Sequence, residues 1–308
     1  MPRDMHREWR LAEREARAAL AGQAGTAALA HLPFRVIDAG LSNFAWQVTA
    51  SGADRFVRLA RAGNEQFGAD LAAESQVVSL AAAAGLAPAV VRCDPAARLL
   101  VTQWIAGTDG SLGAGRTDQV IDRVAAALRQ LHALVPPPGL RKVSFAQQAG
   151  RLQALLPVDA QGREFAALAP AVFARLDDPR VGLVICHHDV HARNMILDAD
   201  ERLWLVDWEY AGLGDRLFDL ASFASQVNLP ESAEQRLVEQ YLLGGGALDP
   251  QRLPLARWAF DYVQWLWYRT VAGGEATDSV PAGALQRAAR VEIDLQVRAS
   301  GVLRCNNH

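Results

Sequence analysis

Two short polar clusters hold most of the side chains in this sequence that can do chemistry. His187-His188-Asp189-Val190-His191-Ala192-Arg193-Asn194 follows the apolar run Val184-Ile185-Cys186, and Val206-Asp207-Trp208-Glu209-Tyr210 follows Leu203-Trp204-Leu205. If both apolar runs are strands, their ends present Asp189, Asn194, Asp207 and Glu209 to one cleft. Carboxylate and amide oxygens are the hard donors that magnesium prefers, and a carboxylate beside a hydroxyl can orient it or take its proton. That donor set suits phosphoryl transfer, in which a divalent cation neutralises the phosphates while a carboxylate positions the nucleophile.

Two other readings compete. Cys186, His187, His188 and His191 offer the thiolate and imidazole ligands that zinc prefers, which would make a metallohydrolase. Adjacent residues leaving a strand point in opposite directions, so Cys186, His187 and His188 do not easily converge on one tetrahedral ion. A nucleotide-binding protein without turnover would be favoured by loss of Asp189, Asn194 or Asp207, and all three are present.

The elements that must position these clusters can be read from periodicity and breakers. Residues 5 to 30 are rich in Ala, Leu, Glu and Arg, which predicts an opening helix ending near Gly22 or Gly25. Phe34–Ile37, Phe44–Thr49 and Arg55–Leu59, separated by turn-like Asp38–Asn43 and Ser51–Asp54, predict an antiparallel meander. A helix over about 69–84 stops at Gly85 and Pro88, and strands follow at Ala89–Arg92 and Leu99–Trp104. Gly107, Gly110, Gly113 and Gly115 mark a flexible connection, and a helical pattern runs from Thr117 to His132. The remainder reads as largely helical apart from the two apolar strands. The expected fold class is α+β, with a small nucleotide-binding lobe over residues 1–105 and a larger helical lobe over 106–308 that carries catalysis and acceptor binding.

Composition narrows the function classes. With 51% hydrophobic and 21% charged residues, the 308-residue chain is globular in character. A formal net charge of -3 gives no general attraction for nucleic acid. The amino terminus is charged where a signal peptide would be apolar, and no apolar run reaches the roughly 20 residues that span a bilayer. Cys93, Cys186 and Cys305 are an odd number at wide spacing, which suits a reducing compartment. These features predict a cytoplasmic protein whose partner is a small molecule, with oligomeric state unreadable.

Four residues separate Asp189 from Asn194, the gap found in the protein-kinase catalytic loop. With His187, that spacing and the Asp207-x-Glu209 pair resemble the catalytic and metal motifs of the aminoglycoside phosphotransferase and choline kinase superfamily, which has a bilobal protein-kinase-like fold. The likeness covers most of the chain, and the sequence around Val206–Gly212 is similar to bacterial choline kinase-like and thiamine kinase-like members. The resemblance implies ATP and magnesium, with Asp189 as base, Asn194 and Asp207 as metal ligands, Glu209 as helper, and His187 and Asp219 as supports of the catalytic loop. It also implies a phosphate-covering turn at Gly40, Leu41, Ser42 and Asn43, and a nucleotide-pairing cation at Arg58 with Glu74 as its helix partner. Gln103, Trp104 and Ile105 would form the hinge that reads adenine. Lys is commoner than Arg at position 58, and relatives often have Gly where this chain has Arg193.

The same resemblance implies a cationic acceptor, choline-like first and thiamine second, with aminoglycosides or other small alcohols as alternatives. Helical spacing on 257–270 places Asp261, Trp265 and Tyr268 on one face, where a cation could sit against aromatic rings. Core packing is the default fate of such aromatics.

Overall fold

The computed structural model describes residues 3–37, 43–50, 52–112, 116–157, 160–243, 248–273 and 284–304. Helix α1 (Arg3–Ala21) stops just before Gly22. Strands β1 (Phe34–Ile37), β2 (Asn43–Ala50), β3 (Ala53–Ala60), β4 (Val90–Asp94) and β5 (Leu99–Gln103) form an antiparallel sheet in the order β1-β2-β3-β5-β4. Between β3 and β4 lies helix α2 (Leu71–Ala83), whose start is capped by the Asp70 carboxylate accepting from the Ala72 and Ala73 N–H groups.

Strand alternation divides the work of this sheet. Phe44, Trp46, Val48, Val57, Leu59, Leu99 and Val101 form one core with Ala12, Ala16 and Leu20 of α1. Trp9 packs edge-on against Phe44 and Trp46, with ring centroids 5.1 and 5.6 Å away. Residues one position out of phase, including Ala45, Phe56, Arg58, Leu100 and Thr102, line a cleft on the other face. Covering one face with α1 thus leaves Arg58 aimed at the other.

The rest is mainly helical, as the sequence predicts: α3 (Thr117–His132), α4 (Phe145–Gln153), α5 (Ala160–Leu176), α6 (Leu217–Gln226), α7 (Glu231–Leu242), α8 (Leu253–Gly273) and α9 (Ala284–Arg304). Its short strands exceed expectation. Besides β7 (Val184–Cys186) and β9 (Leu203–Leu205), there are β6 (Gly107–Asp109), β8 (Met195–Asp198) and β10 (Gly212–Gly214). β6, β8 and β9 make one antiparallel sheet, and β7 pairs with β10. Among the described residues, no helix is long and apolar enough to cross a membrane.

Strand β6 corrects the reading of its glycines. A Cβ on Gly107 would lie 2.7 Å from Ile196 Cγ2 and 2.9 Å from the Leu197 carbonyl carbon, and one on Gly110 would lie 2.7 Å from Met195 Cε. The Gly110 N–H donates to the Ala192 and Met195 carbonyls at 2.9 and 3.1 Å. These two glycines serve close approach to β8 and its lead-in, not flexibility. Gly113 and Gly115 lie outside the described residues.

One side chain of α6 ties the helical core to the loop after β7. Asp219, fully buried, accepts from the His187 N–H at 2.9 Å and the His188 N–H at 2.7 Å, and its third contact is His132 Nε2 at 3.1 Å. His132 is held in turn by the Tyr241 hydroxyl at 2.8 Å. Burial pushes the Asp219 carboxyl up, but the hydrogen bond and charge of His132, then His188 and His187, outweigh it and hold the carboxyl below its ordinary value. A folded-state pKa below the unfolded value of about 3.9 contributes stability that is present above about pH 4 and lost as pH falls through the folded value.

Two outcomes follow from this packing. Gly107→Ala should cost about 1–3 kcal/mol in urea unfolding, because the added methyl meets strand backbone that cannot yield cheaply; an unchanged midpoint would contradict the close approach. Asp219→Asn should cost about 1–3 kcal/mol at pH 7, with the deficit shrinking below about pH 4 as the wild-type carboxylate protonates. A deficit that stays constant between pH 7 and pH 3.5 would count against the ionised brace.

Candidate active site

The β8–β9 hairpin brings the two polar clusters together. Met195 pairs with Leu205, so the residue before β8 and those after β9 are neighbours. The Val206 N–H donates to the Asn194 carbonyl at 3.0 Å. His187 makes the second link: its Nδ1 accepts from the Asp189 N–H at 3.3 Å, and its Nε2 donates to the Val206 carbonyl at 2.9 Å. The ring also packs on Trp208, centroid to centroid 4.6 Å.

Asp189 is held from two sides. Asn194 Nδ2 donates to its carbonyl at 3.0 Å and to its Oδ2 at 2.9 Å, while His191 Nε2 lies 3.5 Å from the same Oδ2. Burial raises the Asp189 carboxyl, but His191, His187 and the Asn194 hydrogen bond together hold it below its ordinary value, so it is a carboxylate at neutral pH. Because the Asn194 amide nitrogen is committed to Asp189, its amide oxygen is the atom left for a cation.

Across the cleft, Arg58 is buried and bonds both Glu74, on α2, and Asp207 Oδ1, the latter at 2.8 Å. Asn43 Nδ2 donates to Glu209 Oε2 at 3.2 Å. One guanidinium therefore faces Glu74, Asp207 and Glu209. Burial, with the charge of Asp207 next, pushes the Glu209 carboxyl up to about 8, and burial also raises Glu74 despite Arg58. Among the described residues, Glu74 Oε1 and Asn43 Oδ1 have no hydrogen-bond partner, and both are buried. The cluster is short of positive charge and rich in oxygen, so a divalent magnesium held by Asn194, Asp207 and Glu209 fits the donor set.

Two non-glycine residues here adopt left-handed backbone, His188 at φ 67° and Asp207 at φ 64°. Such a conformation costs roughly 1–3 kcal/mol and persists only where neighbours enforce it. Each lies next to a turn that delivers a candidate residue into the cleft. Gly214 accommodates the His188 ring, since a Cβ there would collide with Nε2.

A cleft of about 560 Å³ joins most of the residues singled out from sequence. Asn43, Arg58, Gln103, Trp104, Ile105, Asp189, Asn194, Asp207, Glu209 and Tyr268 line it. Glu74, His187 and Asp219 stand behind as partners of lining groups. Gly40, Leu41 and Ser42 lie outside the described residues. Asp261 and Trp265 do not reach the cleft: Asp261 accepts from Arg298 Nε of α9 at 2.8 Å, and the buried Trp265 donates its indole N–H to Glu292 at 3.1 Å. The cleft face of α8 is instead Phe260, Val263, Gln264, Trp267 and Tyr268, turned by one residue from the expected face. Asp261 looked available because its partner lies on α9, far along the chain.

Sequence reasoning also passed over Tyr210 as a site residue and weighed His191 only as a zinc ligand. Tyr210 and Trp267 both line the cleft, and Tyr210 lies within electrostatic reach of Glu209 and Asp189. The proposed zinc ligands separate, His187 going to Val206 and His188 packing edge-on against Phe218 at 4.6 Å. Among the described residues, possible ligand atoms gather instead on His132, Cys186 and Asp219, where the histidine and carboxylate are already hydrogen-bonded and burial holds the thiol protonated.

Known proteins resemble this chain in part of its sequence and in its fold. Protein LicA of Haemophilus influenzae is 38% identical over 73 residues, 23% of this chain. That stretch spans only 21% of the length of LicA. A choline/ethanolamine kinase family protein from Mesorhizobium loti superposes with a TM-score of 0.72 at 24% identity, covering 94% of this chain and 98% of that one. A LicA structure in complex with AMP superposes with a TM-score of 0.71 at 18% identity, covering 87% and 92%. The two superpositions establish the fold, which is kinase-like and mixed helix and sheet. The model of the phosphotransferase enzyme family matches residues 33–256, and to that family this chain belongs.

Proposed function

We propose that the protein is an ATP- and magnesium-dependent phosphotransferase that moves the γ-phosphate to the hydroxyl of a small, cationic metabolite, choline-like first and thiamine second. The observation that carries this reading is the convergence in one cleft of the Asp189 carboxylate with the oxygen donors of Asn194, Asp207 and Glu209. Support for nucleotide binding comes from the family and from the AMP held by LicA.

In this reading a lobe of residues 1–105 meets one of 106–308 across the nucleotide. Backbone groups at Gln103, Trp104 and Ile105 contact adenine, and Arg58, oriented by Glu74, pairs with the phosphates. Asn194, Asp207 and Glu209 hold magnesium, which when bound neutralises phosphate charge as transfer proceeds. Asp189 orients the acceptor hydroxyl and takes its proton, while Asn194 and His191 keep the carboxylate in place. His187 and Asp219 fix the loop that carries it.

The cationic acceptor is favoured by the likeness to a choline/ethanolamine kinase family protein and by an aromatic corner. Tyr210, Trp267 and Tyr268 line the cleft, and the Trp267 and Tyr268 ring centroids are 5.3 Å apart at an interplanar angle of 79°. Each aromatic face can attract an ammonium by about 0.5–2 kcal/mol. Aminoglycosides are less favoured, since the wall offers rings and amides in place of a broad acidic surface.

The reading is tested by magnesium-dependent ADP release over choline, ethanolamine, thiamine, an aminoglycoside and a sugar. Asp189→Asn should lower kcat by about 10²–10⁴-fold while ATP still raises the melting temperature; activity kept in that variant would remove Asp189 from its role. Asp207→Asn should raise the magnesium concentration for half-maximal rate by at least about 10-fold, and an unchanged magnesium dependence would exclude it as a ligand.

A further inference from the structure

The proposed acceptor wall carries two guanidiniums. Arg193, one residue before Asn194, and Arg287, in the first turn of α9, both line the cleft. Arg193, Arg287 and Asp189 all lie within electrostatic reach of the Tyr268 hydroxyl. Both guanidiniums therefore belong to the part of the cleft that holds this ring and the candidate base. Among the described residues no carboxylate pairs with either side chain, whereas Arg252, Arg257 and Arg298 each have one, Asp215, Glu234 and Asp261 respectively.

Among the described residues, no carboxylate is left to serve as a dedicated counter-charge for a lone cation on the aromatic corner. Asp261 is bonded to Arg298, Glu292 to the Trp265 indole and Glu234 to Arg257. The carboxylates that do line the cleft are Asp109, Asp189, Asp207 and Glu209. Asp207 and Glu209 belong with magnesium, Asp189 with the hydroxyl, and Asp109 caps its own turn by accepting from the Ser111 N–H at 3.2 Å. Two guanidiniums without carboxylates are the usual means of holding an oxyanion, through charge-assisted and often bidentate hydrogen bonds.

We propose that the acceptor is a zwitterionic amino alcohol: its ammonium rests on the Tyr210, Trp267 and Tyr268 corner, and a carboxylate of the same molecule is held between Arg193 and Arg287. This rests on the phosphotransferase reading above and departs from its choline-first order of acceptors. The carboxylate takes no part in the transfer. The acceptor oxygen forms its bond to the γ-phosphorus as the bond to the β-phosphate oxygen breaks, ADP leaves, and the hydroxyl proton passes to Asp189. The arginines act on affinity and orientation.

The test compares alcohols that differ by a carboxylate, ethanolamine with serine and choline with carnitine, in magnesium-dependent ADP release by the full chain. At least one carboxylated member should exceed its counterpart in kcat/KM by at least about 10-fold, the worth of one charged hydrogen bond. Arg193→Gln and Arg287→Gln should each raise its KM by about 10-fold or more with a smaller effect on kcat, and Arg287→Lys should restore part of the loss. Equal or better turnover of choline or ethanolamine, or a KM indifferent to both glutamine variants, would overturn the proposal and leave the phosphotransferase reading intact. If none of the four is phosphorylated while ATP still binds, the acceptor class is wrong. Loss of ATP binding in the wild-type chain, or turnover that survives Asp189→Asn, would tell against the phosphotransferase reading itself.

Discussion

Taking a guanidinium out of water costs several kcal/mol unless well-placed carboxylates compensate, and Arg58 is only 3% exposed. The cation and its partners come from three separate parts of the chain. β3 supplies the cation, α2 supplies Glu74, and the turn after β9 supplies Asp207. Arg58 has these two partners at once, so the sheet, the helix and the hairpin keep fixed relative positions. Burial alone would lower the affinity of Arg58 for its proton, yet Glu74, Asp207 and Glu209 raise it, so the charge persists. Removing one member of such a buried set leaves another charge uncompensated, and for that reason the site is also a structural joint.

That joint depends on α1. Phe44, Trp46, Val57 and Leu59 must be buried on one face of the sheet for Asn43, Ala45 and Arg58 to be presented on the other, because side chains alternate along a strand. The Trp9, Phe44 and Trp46 rings supply that burial. On the opposite wall the analogous device is Asp219, whose two backbone hydrogen bonds hold His188 in left-handed backbone at the turn leading to Asp189. The conformational cost at His188 and Asp207 is thus offset by a buried carboxylate behind one and a buried guanidinium before the other.

What was legible in the sequence follows from how local the determinants are. His187, Asp189 and Asn194 lie in one turn, and Asp207 and Glu209 in another, each after an apolar run. Chain proximity therefore brought them together whatever the wider fold. The meander was legible because β1, β2 and β3 are runs rich in aromatic and β-branched residues, set apart by turn residues. β6 was not, since Gly-Thr-Asp is too short to show alternation and has a single β-branched residue, and it becomes a strand through pairing with Ile196–Asp198 nearly ninety residues away. The face of α8 was misread for a related reason. Aromatics occur on both its sides, Trp258, Tyr262 and Trp265 inward and Trp267 and Tyr268 toward the cleft, so periodicity alone does not choose. Arg298, on a different helix, decides by taking Asp261.

The same difference in locality separates catalysis from acceptor choice. The groups around Asp189 are fixed by β7, the β8–β9 hairpin and α6, through backbone hydrogen bonds that most side-chain changes leave intact. The proposed acceptor wall takes most of its side chains from α8 and α9, half-exposed at Gln264, Trp267 and Tyr268 and exposed at Arg287, with Arg193 and Tyr210 added from the two turns. A substitution on α8 or α9 alters charge and shape beside Asp189 without disturbing the hydrogen bonds that hold it. In the proposed reading, reaction type therefore rests on two short turns, and acceptor identity mainly on which face of α8 the packing of α9 leaves open.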